Sequence, residues 1–225
     1  MSKVSRLHRD YLAEIYQAGQ IEANGNRALV TTADLGERLF ASQSTVNRIV
    51  ERLRDAGMID HQRYVGVQLT ALGEQEALVV LRKQAIIEAF LVNVMRLAWQ
   101  DVYDEARRLR HHVSEAVLDR MWELAGRPTH SPFGEQIGDA PAGDHNEVLL
   151  LNADTLHDYR ITRVLTRQPD RLEYLSALGL IPGTVLHLLH KAPFNGPIQI
   201  QLEREYRIIG HELAKMLTAV PVAIM

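Results

Sequence analysis

Five polar side chains in one short stretch could do recognition chemistry. In residues 42–59, SQSTVNRIVERLRDAGMI, Gln43, Ser44, Asn47, Arg48 and Arg52 fall on one side of a helical repeat. Val46, Ile49, Val50 and Leu53 fall on the other, at i, i+3, i+4, i+7 spacing. Amide, hydroxyl and guanidinium groups are the ones that hydrogen-bond to base edges and phosphates of double-stranded DNA. Asn47 and Arg48 are expected at base edges, and Ser42, Ser44, Thr45 and Arg52 at phosphates; with Gln43 they complete the candidate DNA-binding set. An amphipathic helix with a solvated face would show the same pattern, so the neighbouring elements decide.

Those neighbours form a recognisable order. Ser42 can cap the helix and Gly57 can end it. Upstream, TTADLGERLF predicts a second short helix with Thr32 as N-cap and Leu35 and Leu39 facing inward. Only the residues around Phe40 to Ser42 separate the two, which reads as helix-turn-helix. Downstream, in IDHQRYVGVQLT, Val65, Val67 and Leu69 alternate with Gly66 and Gln68, the period of a strand. Ile59 and His61 supply its partner, with the turn near Arg63 and Tyr64. A hairpin directly after the reading helix makes a winged helix.

The bulk numbers narrow the class. At 225 residues the chain has room for two or three domains, and 46% hydrophobic and 24% charged residues suit a folded soluble protein. Zero cysteines exclude disulfides and thiolate metal sites. No apolar run reaches membrane-spanning length and MSKVSRLHRDY has no signal core, so a cytoplasmic protein without a membrane partner is expected. Net charge is −3, unevenly spread: residues 1–71 carry nine Lys/Arg against eight Asp/Glu, and residues 72–146 eight against twelve. The least acidic part is thus the part with the DNA-reading pattern. There is no nucleophile–base arrangement, glycine-rich phosphate loop or H-E-x-x-H motif, so the chain does not read as an enzyme.

Around this head the chain divides further. Residues 4–18 predict a first helix burying Leu7, Tyr11, Leu12, Ile15 and Tyr16, followed by a loop turning at Gly25 and Asn26. Thr70 is expected to cap a long helix over 71–96, and Asp101 one continuous helix over 102–125. Both are too apolar to bury themselves, so the winged helix or a second copy must cover them. A homodimer is the simpler solution, with Phe90, Leu91 and Trp99 near the contact and two half-sites engaged. Residues 126–146 are rich in Gly, Pro and Asp and read as a linker. Beyond it, VLLLNA, YRITRVL, TVLHLLHKA and PIQIQLERE read as short strands of a small barrel, with helices at DRLEYLSALGL and GHELAKMLTAV. The expected fold is mainly α with small β parts. Its domains are a winged helix-turn-helix (1–71), a helical dimerisation domain (72–128), a linker (129–146) and an SH3-like barrel (147–225).

This order resembles the diphtheria toxin repressor and manganese transport regulator family. The resemblance is carried by DYLAEIY, STVNRIVERLRDAGMI, LTALG, VYDEARRLRHHVSEAV and SPFGEQI, and LSALGLIPGT resembles the ferrous-iron-transport-A type of SH3-like barrel. The resemblance implies a homodimeric transcriptional regulator, most simply a repressor, of metal homeostasis. It also implies Fe²⁺ or Mn²⁺ as co-repressor, stabilising the conformation that binds operator DNA.

The same resemblance places the family's primary metal site at Asp10, Arg107, Arg110 and His111, and its ancillary site at Gln84, Glu88 and Tyr103, with Gln168 and Arg171 as barrel contributors. Asp10, Glu88 and His111 can ligate. Arg107 and Arg110 cannot, because a guanidinium has no lone pair to offer a cation. The expectation is that an arginine replaces the metal's charge by pairing with Asp10. Three alternatives stand beside it: loss of the site without replacement, relocation to Glu88, His111, His112 and Glu115 (with His111 and Glu115 four apart on one helical face), and an anionic or small-molecule effector at Arg107 and Arg110.

Overall fold

The computed structural model describes residues 5–19, 28–137 and 146–222, which group into two compact units, Met1–Gln84 and Ala85–Met225. The loop residues Gly25 and Asn26, and residues 138–145 of the expected linker, lie outside the described residues.

The N-terminal unit is built from locally capped helices. Helix α1 (Arg6–Ala18) starts on Ser5, whose hydroxyl accepts from the His8 amide. Helix α2 (Thr32–Leu39) starts on Thr31, one residue before the expected Thr32, because the Thr31 hydroxyl takes the Asp34 amide. Helix α3 (Gln43–Asp55) starts on Ser42, the expected cap, whose hydroxyl accepts from the Thr45 amide. The wing pairs β1 (Ile59–Gln62) with β2 (Gly66–Leu69) in the register Ile59↔Leu69 to Gln62↔Gly66. Tyr11, Leu12, Ile15, Val46, Ile49 and Leu53 fill the core between them, each giving about 1.5–3 kcal/mol on burial. Leu7, expected inside, is exposed, since the buried run of α1 begins only at Tyr11.

Helix α4 (Ala71–Asn93) leaves the wing at Thr70, whose hydroxyl accepts from the Gly73 amide and donates to the Gly57 carbonyl. Gly73 is needed there: a Cβ would stand 1.9 Å from the Met58 carbonyl oxygen. The helix stops before the expected residue 96, where Arg96 takes a left-handed φ of 61°.

In the second unit the single helix expected over 102–125 is two helices. After one 3-10 turn (Trp99–Asp101), α5 runs Val102–Leu109 and α6 runs Glu115–Leu124. The break follows from Ser114, which caps α6 by accepting the Val117 amide and so ends any continuous helical ladder. Asp101 stands at the N-cap position of α5 but makes no side-chain cap bond.

The C-terminal strands form one six-stranded antiparallel sheet in the order β3-β8-β4-β5-β6-β7. The strands are β3 (Val148–Leu149), β4 (His157–Val164), β5 (Val185–Lys191), β6 (Ile198–Leu202), β7 (Glu205–Ile209) and β8 (Leu217–Pro221). Helix α7 (Pro169–Ala177) and the one-turn α8 (His211–Ala214) accompany it. The apolar surface of α4 is shared out: Ala77 packs into the winged-helix core, one of the two expected partners, while the later part of α4, with α5, meets the sheet. Ile86, Leu91, Val102 and Ala106 share one continuous core with sheet residues such as Ile161, Leu188 and Ile200. Leu91 is buried in that core, and Trp99 stacks on Phe133 at 5.4 Å.

Residues 129–137 are a built part of that core rather than a tether. Ser131, Phe133 and Ile137 are buried, and the Phe133 carbonyl accepts from the Val164 amide of β4 at 2.9 Å. Gly134 has φ 87°, and a Cβ there would lie 1.9 Å from the Thr162 carbonyl oxygen, so only glycine fits.

Candidate nucleic-acid interface and inherited metal positions

Helix α3 turns its polar residues outward and keeps them ordered through its own hydrogen bonds. Val46, Ile49, Val50 and Leu53 are buried, while Ser42, Gln43, Ser44, Asn47, Arg48 and Arg52 are exposed and Thr45 is half-buried. The Ser42 hydroxyl accepts the Thr45 amide and lies 3.0 Å from both Ser44 Oγ and Thr45 Oγ1. Gln43 Nε2 donates to Thr32 Oγ1 at 2.9 Å and to Asn47 Oδ1 at 3.0 Å. Gln43 therefore ties α2 to α3 and orients Asn47, leaving its own carbonyl oxygen to accept.

The turn between the two helices is tight. Phe40 caps α2 in the left-handed region (φ 50°, ψ 40°), and the Ala41 amide returns to the Gly36 carbonyl at 2.9 Å. The back of α3 meets α1. Burial, then the Arg52 charge, lowers the His8 pKa, and burial raises that of the Tyr11 phenol against the opposing pull of Arg48. Both shifts favour the neutral forms of His8 and Tyr11 near pH 7, so neither group adds a charge beside Arg48 and Arg52. The wing adds Arg63 and Tyr64, both exposed, at its tip.

The positions that the family resemblance assigns to metal divide between the units, Asp10 and Gln84 in the first and Glu88, Tyr103, Arg107, Arg110 and His111 in the second. Asp10 is half-buried on α1. Gln84 and Glu88 on α4 are both buried, at 2% exposure each. On the second unit, Tyr103 and Arg107 belong to α5, but Arg110 is its C-cap residue and His111 lies in the following turn. Arg110 keeps helical backbone angles and its amide still bonds the Ala106 carbonyl at 2.9 Å, so Arg107 and Arg110 stay on one face at the end of α5, with His111 in the turn that follows. The relocated face does break: His111 precedes the Ser114 cap and Glu115 opens α6, so they share no helix. Among the described residues no cluster of three or more His, Asp or Glu side chains could hold a metal ion. Arg110 is 2% exposed, which rules out a solvated arginine at that position.

The barrel contributors also differ from expectation in what they touch. Gln168 is the N-cap residue of α7, and Arg171 reaches Met216 Sδ at 3.9 Å. Their neighbour Arg167 is the busier residue. Its Nη2 donates to Glu135 Oε1 at 2.9 Å, and its guanidinium lies over Phe133 at 4.5 Å and Tyr103 at 5.5 Å. The ring at the ancillary position is thus part of a cation–π cluster. Sequence reading picks out Phe133 and Glu135 only within the resemblance motif SPFGEQI and places them in a linker, and it misses Arg167; the available signal was a lone phenylalanine in a Gly/Pro-rich stretch, which must bury itself somewhere.

Known proteins are similar to this chain in sequence and in fold. The profile described as iron dependent repressor, metal binding and dimerisation domain matches residues 70–139, a FeoA domain matches 148–220, and the MarR family matches 4–64. The iron-dependent repressor IdeR of Mycobacterium leprae is 36% identical over 218 residues, 91% of this chain and 92% of that protein. The diphtheria toxin repressor of Corynebacterium efficiens is 33% identical over 198 residues, 80% of this chain and 82% of that protein. A manganese-dependent transcriptional repressor solved in complex with manganese superposes with a TM-score of 0.84 at 27% identity, covering 96% of this chain and all of that one. Among the described residues no helix is long and apolar enough to cross a membrane.

Proposed function

We propose, for a chain that belongs to the iron-dependent repressor family, that it is a homodimeric repressor whose operator binding does not depend on a metal at the family's primary site. The DNA-reading half rests on α3: a capped, exposed polar face between a tight turn and a wing. Arg48 is its main base reader, since Asn47 Oδ1 already takes the Gln43 amide. Arg48 suits a guanine O6/N7 edge, and Asn47 keeps its amide hydrogens to donate. Ser42 serves the helix cap first and a phosphate second.

The metal half rests on one observation, the donor set. Fe²⁺ and Mn²⁺ need several N, O or S donors, and Arg107 and Arg110 supply none and add positive charge. The residues present do not fit the ion. Buried Arg110 is engaged within the fold, which also weighs against an anion entering there as effector.

Dimerisation belongs to the stretch matched by the metal-binding and dimerisation profile, residues 70–139. Because Leu91 is already buried within the chain, the contact is better sought on exposed apolar residues such as Val117 and Leu124, seven apart on α6. Gel shifts on the chain's own promoter test the reading. The shift should persist unchanged with chelator, with added Fe²⁺ or Mn²⁺, and with small anions, and Val117→Asp with Leu124→Asp should shift sedimentation from dimer to monomer. Tight stoichiometric Mn²⁺ or Fe²⁺ binding by the wild-type chain, abolished by His111→Ala, would falsify it.

A further inference from the structure

Two aromatic side chains of the N-terminal unit stand where the fold has no use for them. Phe40, in the turn leading into α3, is 92% exposed, and Tyr64, at the wing tip, is 102% exposed. Both are left-handed, at φ 50° and 66°, and they are the only non-glycine residues at positive φ among the described residues of that unit. Glycine or asparagine takes this backbone readily, while a bulky L side chain is strained in it. The turn itself is held by backbone bonds, Phe40 N–H to the Glu37 and Gly36 carbonyls and Val65 N–H to the Gln62 carbonyl, so neither ring is required to form it. Each position therefore carries strain and exposes apolar surface with no return inside the molecule.

We propose that Phe40 and Tyr64 are DNA contacts that flank the polar face of α3, an inference that rests on the DNA-reading role given above. Phe40 lies two residues before the Ser42 cap, where the reading helix enters the major groove. The apolar group on a base edge there is the thymine 5-methyl, and Phe40 packs against it. Tyr64 follows Arg63 at the wing tip. Its ring lies on a deoxyribose and its hydroxyl donates to a phosphate oxygen, with the Arg63 charge alongside. Phe40 thus contributes specificity, and Tyr64 affinity without sequence preference.

The fold supplies its own control. Phe194, between β5 and β6 in the second unit, is also left-handed (φ 58°) and 98% exposed. Three full-length variants, Phe40→Gly, Tyr64→Gly and Phe194→Gly, are compared on a duplex enriched by the wild-type protein from a random-sequence pool. All three relieve backbone strain, so each should hold its melting temperature or raise it, by about 2–4 °C. Phe40→Gly should bind at least about tenfold more weakly, and should no longer sense one thymine-to-uracil change that weakens the wild type. Tyr64→Gly should lose about five- to tenfold while enriching the same sequence, and Phe194→Gly should bind as wild type. Binding of Phe40→Gly and Tyr64→Gly within about twofold of wild type, at preserved melting temperature, overturns the proposal. If the wild-type protein enriches no sequence at all, the DNA-reading role itself fails and the proposal falls with it.

Discussion

Helix α3 and residues 129–137 are both short, and both are decisive, but they are built on opposite plans. In α3 the determinants are mostly local: an N-cap serine, an apolar repeat, hydrogen bonds between residues two to four apart and a glycine beyond the end, with the Gln43–Thr32 bond as the tie to α2. Its functional groups point away from the core. Residues 129–137 have no helical or strand repeat; bonds within the stretch, such as Ser131 N–H to the Glu135 carbonyl and Ile137 N–H to the Thr129 carbonyl, shape the turn, and contacts far along the chain, with Val164, Arg167 and Trp99, anchor it. Their important groups point inward. A stretch of the first kind can change its reading chemistry without changing the fold. A stretch of the second kind cannot change without cost to its whole unit.

Phe133→Ala should have the largest effect. It removes a fully buried ring stacked on Trp99, edge-on to Tyr103 at 6.3 Å and capped by Arg167. The expected loss is about 3–5 kcal/mol of stability. Both tryptophans of the chain, Trp99 and Trp122, belong to the second unit, so denaturation followed by their fluorescence reads this loss directly. An unchanged midpoint would mean that the stretch is a tether after all, and the contrast with α3 would collapse. Arg48→Ala should do the reverse: leave the melting curve in place, weaken operator binding by about 1–3 kcal/mol and relax preference at one base pair. Equal affinity and equal sequence preference in the variant would remove Arg48 from the reading set.

The difference between the two plans also explains what could be read from the sequence. The helix-turn-helix, the wing and the strands of the barrel were legible because each repeats a local period or ends on a capping residue. The residue types at the positions that the family resemblance assigns to metal, Arg107 and Arg110 among them, are read from the sequence alone, and the proposal of a missing donor set rests on those types. The geometry of those positions was not legible. Apolar spacing continues across residues 109–118, so periodicity alone predicts one helix, and only the Ser114 cap betrays the break. The partner of the α4 and α5 surface was illegible for a different reason. Hydrophobic residues show that something covers them, but the covering residues, among them Ile161 and Leu188, lie many tens of positions away. A cation–π cluster such as Tyr103, Phe133 and Arg167 leaves no periodic trace at all.

The smallest predicted effect sharpens the contrast through pH. Glu147 opens the barrel just before β3, and its carboxylate accepts from Thr162 Oγ1 at 2.5 Å, Thr218 Oγ1 at 2.8 Å and Arg163 Nε at 3.0 Å, with Arg163 Nη2 also donating. Burial by itself pushes this carboxyl up, but the Arg163 hydrogen bonds and charge, with the two threonine hydroxyls, outweigh it and hold the pKa below the ordinary glutamate value of 4.5. The unfolded chain then binds more protons than the folded one in the window just below that value. The stabilisation is fully present above pH 4.5 and is lost as the pH falls through the depressed folded value. Glu147→Gln, which mimics the protonated form, should lower the stability of the second unit at pH 7 and flatten its dependence on pH below about 5. Wild type and variant should therefore converge in acid when both are followed by tryptophan fluorescence. Parallel curves across that range would show that the carboxylate contributes the same in both charge states. In that case the entry to the barrel, like the stretch before it, is held by packing and not by charge.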